Sequence, residues 1–269
     1  MHRRRVAAVT VSPGSARRLA AAAGALALAL TLASCAPAAG PEQDPPNTPL
    51  ADPDRWGPDS RGNGLWLQTG DGVIDEIVTA IRKAGPVEYT GAFTEMITPE
   101  DANIDPHQGR TLAVDYRGER GAFAAALTAG DVHLDLVMTE GRVYARGNAA
   151  YAERTGVPAF ATGYVCTTSA DAVLSGWEPL LDPALLVETL LSGAEEVAVM
   201  EPQADAPTTK VVIGGSEAPI GTLTVAATGA PLPSDFLAGD VSGDGRFAFS
   251  GWGHAIEITA PTELSQPCD

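Results

Sequence analysis

Apolar residues recur along this chain at two spacings, and each spacing predicts one type of secondary structure. The first is helical: valine and isoleucine fall on a single stripe within residues 73–81. Asp71 is expected to cap the start of this helix and Gly85 to end it. Residues 183–192 (PALLVETLLS) predict another helix, with Asp182 as its N-cap and proline at its first position.

The second spacing is an alternation of apolar and polar residues, in short runs separated by turn-forming residues, which is typical of antiparallel strands. It is clearest at 132–139, where the apolar side chains at even positions face one side. The order of one helix, about five strands, a partly helical stretch and about six strands predicts an α+β fold with helices on one face of an antiparallel sheet. The predicted strands are 87–97, 110–116, 121–128, 132–139, 142–146, 196–200, 208–213, 221–227, 231–238, 245–250 and 255–259, and a short helix is expected at 170–175.

Residues 1–34 predict an export signal. They carry five arginines and no acid, and their apolar stretch at 19–32 is shorter than the roughly 20 residues that cross a bilayer. The stretch ends in Leu-Ala-Ser-Cys, similar to the bacterial lipobox, in which a peptidase cuts before the cysteine that is then acylated. We therefore expect Cys35 to carry acyl chains such as palmitate and to anchor the protein on the extracytoplasmic face of the cell membrane. The alternative is an ordinary secretory signal with an unrelated cysteine; Sec and twin-arginine export both stay open.

Residues 35–68 predict a linker, because proline, glycine, aspartate and asparagine dominate this segment. Two tryptophans within it, Trp56 and Trp66, are expected to dock onto the edge of the domain. The remaining residues, 69–269, are enough for one domain with its own core.

The charge of the chain excludes one class of partner. It has 17 basic and 34 acidic residues, and loss of the signal's five arginines would make the remainder still more acidic. Binding of nucleic acid requires clustered lysine and arginine, and no cluster is present. We expect no nucleic-acid partner and no cofactor, and we take the protein to be a monomer.

Two cysteines lie in the predicted domain, Cys166 and Cys268. Because export places them in an oxidising compartment, a disulfide between them is the default expectation. The histidines of the domain have spacings that match no metal-binding motif, and we interpret them as solvated surface residues. They are His107, His133 and His254.

Residues 240–245 (DVSGDG) fit the opening of a calcium-binding EF-hand loop. Its twelfth position would be Gly251, where a bidentate glutamate is required, so we interpret the segment as a glycine-rich hairpin turn. The sequence also lacks a nucleophile elbow, a phosphate-binding loop and a zinc-protease motif. We therefore expect neither a metal site nor an enzyme.

Three segments of the domain carry a family resemblance. Residues 134–144 (LDLVMTEGRVY) form a strand, an acidic residue with glycine at the turn, and a strand with tyrosine; residues 182–191 (DPALLVETLL) form an apolar helix. Residues 249–253 (FSGWG) precede an alternating segment (IEI) and a proline. In order and spacing, residues 70–260 thus resemble the actinobacterial LppX/LprG-type lipoproteins, whose fold is related to that of the carrier LolA.

The resemblance implies a strongly curved antiparallel half-barrel whose concave face is covered by helices. It also implies an apolar cavity that binds acyl chains of a lipid or lipoglycan, and the family is implicated in carrying such lipids across the envelope. A non-enzymatic scaffold or interaction lipoprotein with a filled core is the alternative, because packed cores show the same alternation. Small residues such as Ala124, Ala125 and Ala126 favour unfilled volume. The residues predicted to line the cavity are Leu134, Leu136, Met138, Leu186, Leu190, Val225, Phe247 and Phe249.

Overall fold

The computed structural model describes residues 62–97, 105, 107–169, 171–192, 196–203, 205–214, 219–240 and 243–268. The predicted signal peptide 1–34, the acylation site Cys35 and Trp56 lie outside the described residues. Within the part of the chain that is described, no helix combines the length and the apolar character that a membrane span requires.

Helices and strands alternate in groups, as the sequence pattern predicts. Two short 3₁₀ turns accompany them at Leu65–Leu67 and Pro158–Ala161. The helices are α1 (Gly70–Ala84), α2 (Ala149–Thr155), α3 (Asp171–Leu174), α4 (Glu178–Leu181) and α5 (Pro183–Ser192). The strands are β1 (Val87–Ile97), β2 (His107–Glu119), β3 (Ala122–Ala129), β4 (Val132–Thr139), β5 (Arg142–Gly147), β6 (Tyr164–Thr167), β7 (Val197–Val199), β8 (Thr208–Ile213), β9 (Gly221–Ala226), β10 (Pro233–Asp240), β11 (Gly243–Ser250) and β12 (Leu264–Gln266).

The described strands form one curved, unclosed sheet of 12 strands. Their spatial order is β12-β6-β5-β4-β3-β2-β1-β11-β10-β9-β8-β7, so β1 joins the first group of strands to the second by pairing with β2 and β11. The pairs are antiparallel except for β12 and β6, which are parallel. The predicted α+β class is confirmed.

The core lies between one face of this sheet and the helices α1, α4 and α5; we call this the inner face. Along β4, Leu134 and Leu136 are buried on it, whereas His133, which lies on the opposite face of the strand, is exposed. The stripe of α1 that contains Val73 and Ile77 is fully buried in the same cluster. Burial of these apolar side chains is the main favourable contribution to folding.

The folded domain begins before residue 69, where the sequence analysis ended the linker. Leu65 is fully buried in the core, and Trp66 is half-buried. The side-chain amide of Asn63 donates to the carbonyl of Ala226 at 2.8 Å, which ties this segment to the end of β9. The last part of the predicted linker therefore packs with the domain.

The helix α1 begins earlier than the sequence predicts. Its N-cap is Thr69, and Asp71 stands in the first turn instead of at the cap. There its carboxylate still interacts favourably with the positive end of the helix dipole. The predicted end is confirmed, because Gly85 follows the helix at a φ of 78°, a conformation that glycine adopts without strain.

The predicted strand at 255–259 is wrong. Ile256 and Ile258 are half-buried between exposed neighbours, but the segment pairs with no described strand. The chain instead continues to β12, which adds to the far edge of the sheet beside β6. The sequence analysis missed the strands β6 and β12 and the helices α2 and α4, and it began β2 three residues too late.

Candidate functional site

An apolar cleft of about 660 Å³ lies between helices α3–α5 and the sheet, at the turn that joins β2 to β3 and near the end of β4. Its volume is within the roughly 300–1,000 Å³ of typical small-molecule sites. Apolar side chains from both layers line it, with one basic and two acidic residues among them. The lining residues are Arg120, Gly121, Phe123, Met138, Leu174, Glu178, Leu181, Asp182 and Leu185.

The helical wall of the cleft is positioned by the start of α5. One carboxylate oxygen of Asp182 accepts hydrogen bonds from the backbone N–H groups of Ala184 at 2.9 Å and Leu185 at 3.1 Å. This confirms the predicted N-cap and holds Leu185 at the cleft, where 37% of its surface stays exposed. Glu178 likewise accepts from the N–H of Gly176 at 2.6 Å. Both acidic groups of the cleft are thus engaged with backbone.

The sheet wall of the cleft depends on a close approach of two strands. Phe123 of β3 pairs with Gly118 of β2 on one side and with Met138 of β4 on the other. A Cβ atom on Gly118 would come within 2.6 Å of the Cα of Phe123, and Gly118 has a φ of 130°. Only glycine fits this position, and it lets Phe123 reach the cleft.

A row of aromatic rings leads from the cleft into the core. The ring of Phe123 lies 5.4 Å from that of Tyr116, which stacks on Tyr89 at 4.5 Å. Tyr89 in turn contacts Phe249 at 5.5 Å and donates its hydroxyl to the carbonyl of Leu180 at 2.7 Å. This bond ties α4 to the middle of the sheet.

The hydroxyls of Tyr89 and Tyr116 stay protonated. Burial raises the pKa of each well above its ordinary value, and the negative charge of Asp182 raises it further. Both groups are therefore hydrogen-bond donors throughout the physiological pH range. Asp182 both lines the cleft and acts electrostatically on these two tyrosines.

The residues predicted to line a cavity lie in two environments. Leu190 is partly buried against the core, and Met138 lies at the cleft. The other six are less than a tenth exposed and belong to one packed cluster, so at these positions the side chains form the core. These six are Leu134, Leu136, Leu186, Val225, Phe247 and Phe249.

The alanines of β3 do not support a cavity as the sequence analysis expected. Ala125 is buried on the inner face, opposite Tyr116 and Leu136. Ala124 and Ala126 alternate with it and therefore lie on the outer face. Ala124 and Ala126 therefore leave no unfilled volume on the inner face, between the sheet and the helices.

The histidines of the domain lie at the surface, as the sequence analysis predicts. His107, His133 and His254 are exposed. The strands β10 and β11 pair antiparallel up to Asp240 and Gly243, as a hairpin requires. Among the described residues, no group of three or more histidine, cysteine or acidic side chains is placed to hold a metal ion.

A disulfide joins Cys166 on β6 to Cys268, as the sequence analysis predicts. Cys166 is 1% exposed, so the bond is covered on the side of the sheet. Beside it, the hydroxyl of Ser265 donates to the carbonyl of Ala159 at 2.9 Å. The end of the chain is therefore attached to the edge of the sheet opposite β7.

Comparisons with known proteins give a distant likeness. No family model and no curated protein matches the chain. Solved structures do match. One is LprF from Mycobacterium bovis. The chain is 12% identical to LprF with a TM-score of 0.39, over 71% of this chain and 96% of LprF. A likeness at this level does not establish a family.

The list of predicted cavity residues lacks four apolar residues of the cleft, which are Phe123, Leu174, Leu181 and Leu185. Of these, Leu185 lies on the predicted helix 183–192. One signal for Leu181 was available, because it directly precedes the N-cap of α5, where an apolar residue often packs against the first turns. A signal for Phe123 is the nearby glycine pair at the turn between β2 and β3, which marks a close approach of strands. Leu174 lies in a helix of four residues, too short for a periodic pattern.

Proposed function

We propose that this chain is a lipid-anchored envelope protein that binds an acyl chain in the cleft between α3–α5 and the sheet. One observation carries the proposal: a cleft of about 660 Å³ with apolar side chains on both walls and charged groups among them. Such a site suits a ligand with an apolar chain and a polar head. The protein binds its ligand and performs no covalent chemistry.

The energetics favour a long apolar ligand. Each CH₂ group that leaves water contributes about 0.8 kcal/mol, so a chain of eight carbons gains roughly 6 kcal/mol before the cost of ordering it. Phe123, Leu174 and Leu181 present apolar surface for this burial. Arg120 lies at the turn between β2 and β3, where a polar head can remain near water.

Replacing Leu185 by glutamate should weaken binding of an acyl probe at least 10-fold, because it places a carboxylate in the apolar wall. The change should leave the fold intact, since position 185 is the third residue of a capped helix, where glutamate is favoured. The measurement is a fluorescence titration of the unacylated domain with a dansyl-labelled fatty-acyl probe.

The matched control is Leu237→Glu, which places the same charge on a side chain that is 59% exposed on β10, away from the cleft. This variant should bind the probe as the unchanged protein does. Equal binding by Leu185→Glu and the unchanged protein would place the site elsewhere.

Replacing Cys35 by alanine should release the protein from the membrane, because acyl chains at that position provide its anchor. The measurement is the distribution of the full-length protein between membrane and soluble fractions of its host. The acidic domain has no basic patch that would hold it on an anionic surface. A variant that stays in the membrane fraction would contradict the predicted lipid anchor.

A scaffold with a filled core is the second candidate, and two observations favour it. Six of the eight residues predicted to line a cavity are packed in the core. On the outer face, Arg146 pairs with Asp135 at 2.8 Å and lies over the ring of Tyr164 at 4.9 Å, a charged surface that a protein partner can contact. Absence of bound lipid after purification from the host, together with no binding of the acyl probe, would favour the scaffold.

A further inference from the structure

The rim of the cleft carries charges of opposite sign on its two walls. Arg120 is exposed on the sheet wall, at the turn between β2 and β3, while exposed Glu178 and half-buried Asp182 stand on the helical wall. The guanidinium of Arg120 forms no ion pair with either carboxylate, nor with any other acidic group of the described residues. The opposite charges therefore line one cleft without neutralising each other.

Each carboxylate of the helical wall is fixed through one oxygen and keeps the other available. Asp182 accepts through Oδ1 from the backbone at the start of α5, and Glu178 accepts through Oε2 from the N–H of Gly176. Among the described residues, no donor reaches Oδ2 of Asp182 or Oε1 of Glu178. Because an ionised carboxylate only accepts hydrogen bonds, the helical wall offers two negatively charged acceptors to a ligand that donates.

The sheet wall offers the opposite charge, with open space beside it. The guanidinium of Arg120 only donates hydrogen bonds, and its planar fork suits a phosphate or a carboxylate. The next residue, Gly121, also lines the cleft, and a Cβ atom added there would meet no heavy atom within 4 Å apart from its chain neighbours. Buried Phe123 and Leu181 supply apolar surface in the same cleft. A head group at the rim can thus reach Arg120 while its acyl chain contacts the apolar walls.

This arrangement of charges discriminates between classes of polar head group. A purely anionic head is attracted by Arg120 but repelled by the two carboxylates, and an uncharged head forms no ion pair with either wall. A head that carries both an anion and an ammonium group complements both walls at once, with the anion at Arg120 and the ammonium at Glu178 and Asp182.

We infer that the cleft selects an acyl lipid with a zwitterionic head, such as a phosphoethanolamine, whose phosphate binds Arg120 and whose ammonium binds Glu178 and Asp182. The inference rests on the proposed function, because it names the ligand class of the same cleft. The three charged side chains act as specificity-determining residues at the rim, and burial of the acyl chain supplies most of the affinity.

The test compares three ligands that share one myristoyl chain and differ in the head: lysophosphatidylethanolamine, lysophosphatidylglycerol and monomyristin. Each competes with the dansyl acyl probe for the unacylated domain, at low salt and below the concentration at which the lipid forms micelles. The unchanged protein should bind the ethanolamine lipid about 3- to 10-fold more tightly than either of the others, the value of two ion pairs that stay partly hydrated. High salt should reduce this preference.

Two variants separate the contributions of the walls. Arg120→Gln should bind the ethanolamine lipid no more tightly than monomyristin, because the phosphate loses its partner. The double variant Glu178→Gln, Asp182→Asn should bind both phospholipids equally, because only the attraction between phosphate and Arg120 remains. Both new amides keep an oxygen that accepts the backbone hydrogen bonds, and asparagine is as good an N-cap as aspartate, so the helical wall should persist.

The matched controls remove the same charges away from the cleft. Arg117→Gln removes an exposed guanidinium on the outer face of β2, and Glu153→Gln removes an exposed carboxylate on α2. Both controls should show the same preference among the three lipids as the unchanged protein.

The outcomes separate the inference from the proposed function. If the unchanged protein binds none of the lipids and not the probe, the proposed function fails and the inference fails with it. If it binds the probe but does not prefer the ethanolamine lipid, the acyl site stands and selection of a zwitterion is overturned. The inference is also overturned if either cleft variant keeps the preference, or if the controls lose it, because the preference would then reflect the charge of the whole protein.

Discussion

Replacing Phe247 by alanine should lower the free energy of unfolding by about 3–5 kcal/mol, the usual cost of deleting a buried aromatic ring. Phe247 is 0% exposed and lies between the rings of Phe236 at 6.2 Å and Phe249 at 6.5 Å. It also covers Gly91 on the neighbouring strand, where an added Cβ atom would come within 2.1 Å of the ring.

This experiment also decides how the interior is filled. Phe247 was predicted to line a cavity, and truncating a side chain that faces an open, ligand-sized space removes few packing contacts. Chemical denaturation of the unliganded domain measures the effect, with Leu237→Ala as the control. Leu237 is 59% exposed on the adjacent strand, so its truncation should change stability by less than about 0.5 kcal/mol. A loss below about 1 kcal/mol for Phe247→Ala would contradict the filled core at this position.

Much of the fold could be predicted because its signals are local. The sequence pattern matches β1, β4, β8 and α5 in the structure at both ends. At α5 the reason is chemical: an aspartate that caps, a proline at the first position and an apolar face specify the helix without distant contacts. In β4, alternation specifies both the strand and the face that is buried.

The pairing of strands that are far apart in the sequence could not be predicted in the same way. The segment 255–259 alternates like a strand, and Ile256 and Ile258 are indeed half-buried. Alternation reports which side chains are buried and does not require a ladder of hydrogen bonds. The places beside β1 are taken by β2 and β11, so this segment gains burial without pairing. The parallel pair β6–β12 joins residues about 100 positions apart, and each strand is too short for a pattern.

The candidate site was harder to predict than the fold. Residues that line a cavity and residues that fill a core are both apolar and face inward, so the pattern cannot separate them. The difference arises from how closely α4 and α5 approach the sheet, and the bond from Tyr89 to Leu180 fixes that distance. In β3, alanine stands on both faces, so only the bulky Phe123 and Leu127 show which face is inner. The cleft lies beside α3–α5 at the turn between β2 and β3, where Gly118 lets these two strands approach closely.

Replacing both Cys166 and Cys268 by alanine should lower the free energy of unfolding by about 2–4 kcal/mol, because the disulfide restricts the unfolded chain over a long loop. The bond joins residues 102 positions apart, and the loop between them includes the helices α3–α5 and the strands β7–β12. Among the described strands, β12 pairs with β6 alone, and it is exposed along its length, so little else fastens the end of the chain. Urea unfolding with and without a thiol reductant measures the effect.

Reductant should lower the free energy of unfolding of the unchanged protein by the same amount and leave that of the double variant unaffected. Replacing Ser265 by alanine should lower the free energy of unfolding by only about 1 kcal/mol, the value of the hydrogen bond to Ala159. If reductant leaves the unfolding of the unchanged protein unaltered, the disulfide contributes nothing to stability, and the hydrogen bonds of β12 hold the chain end by themselves.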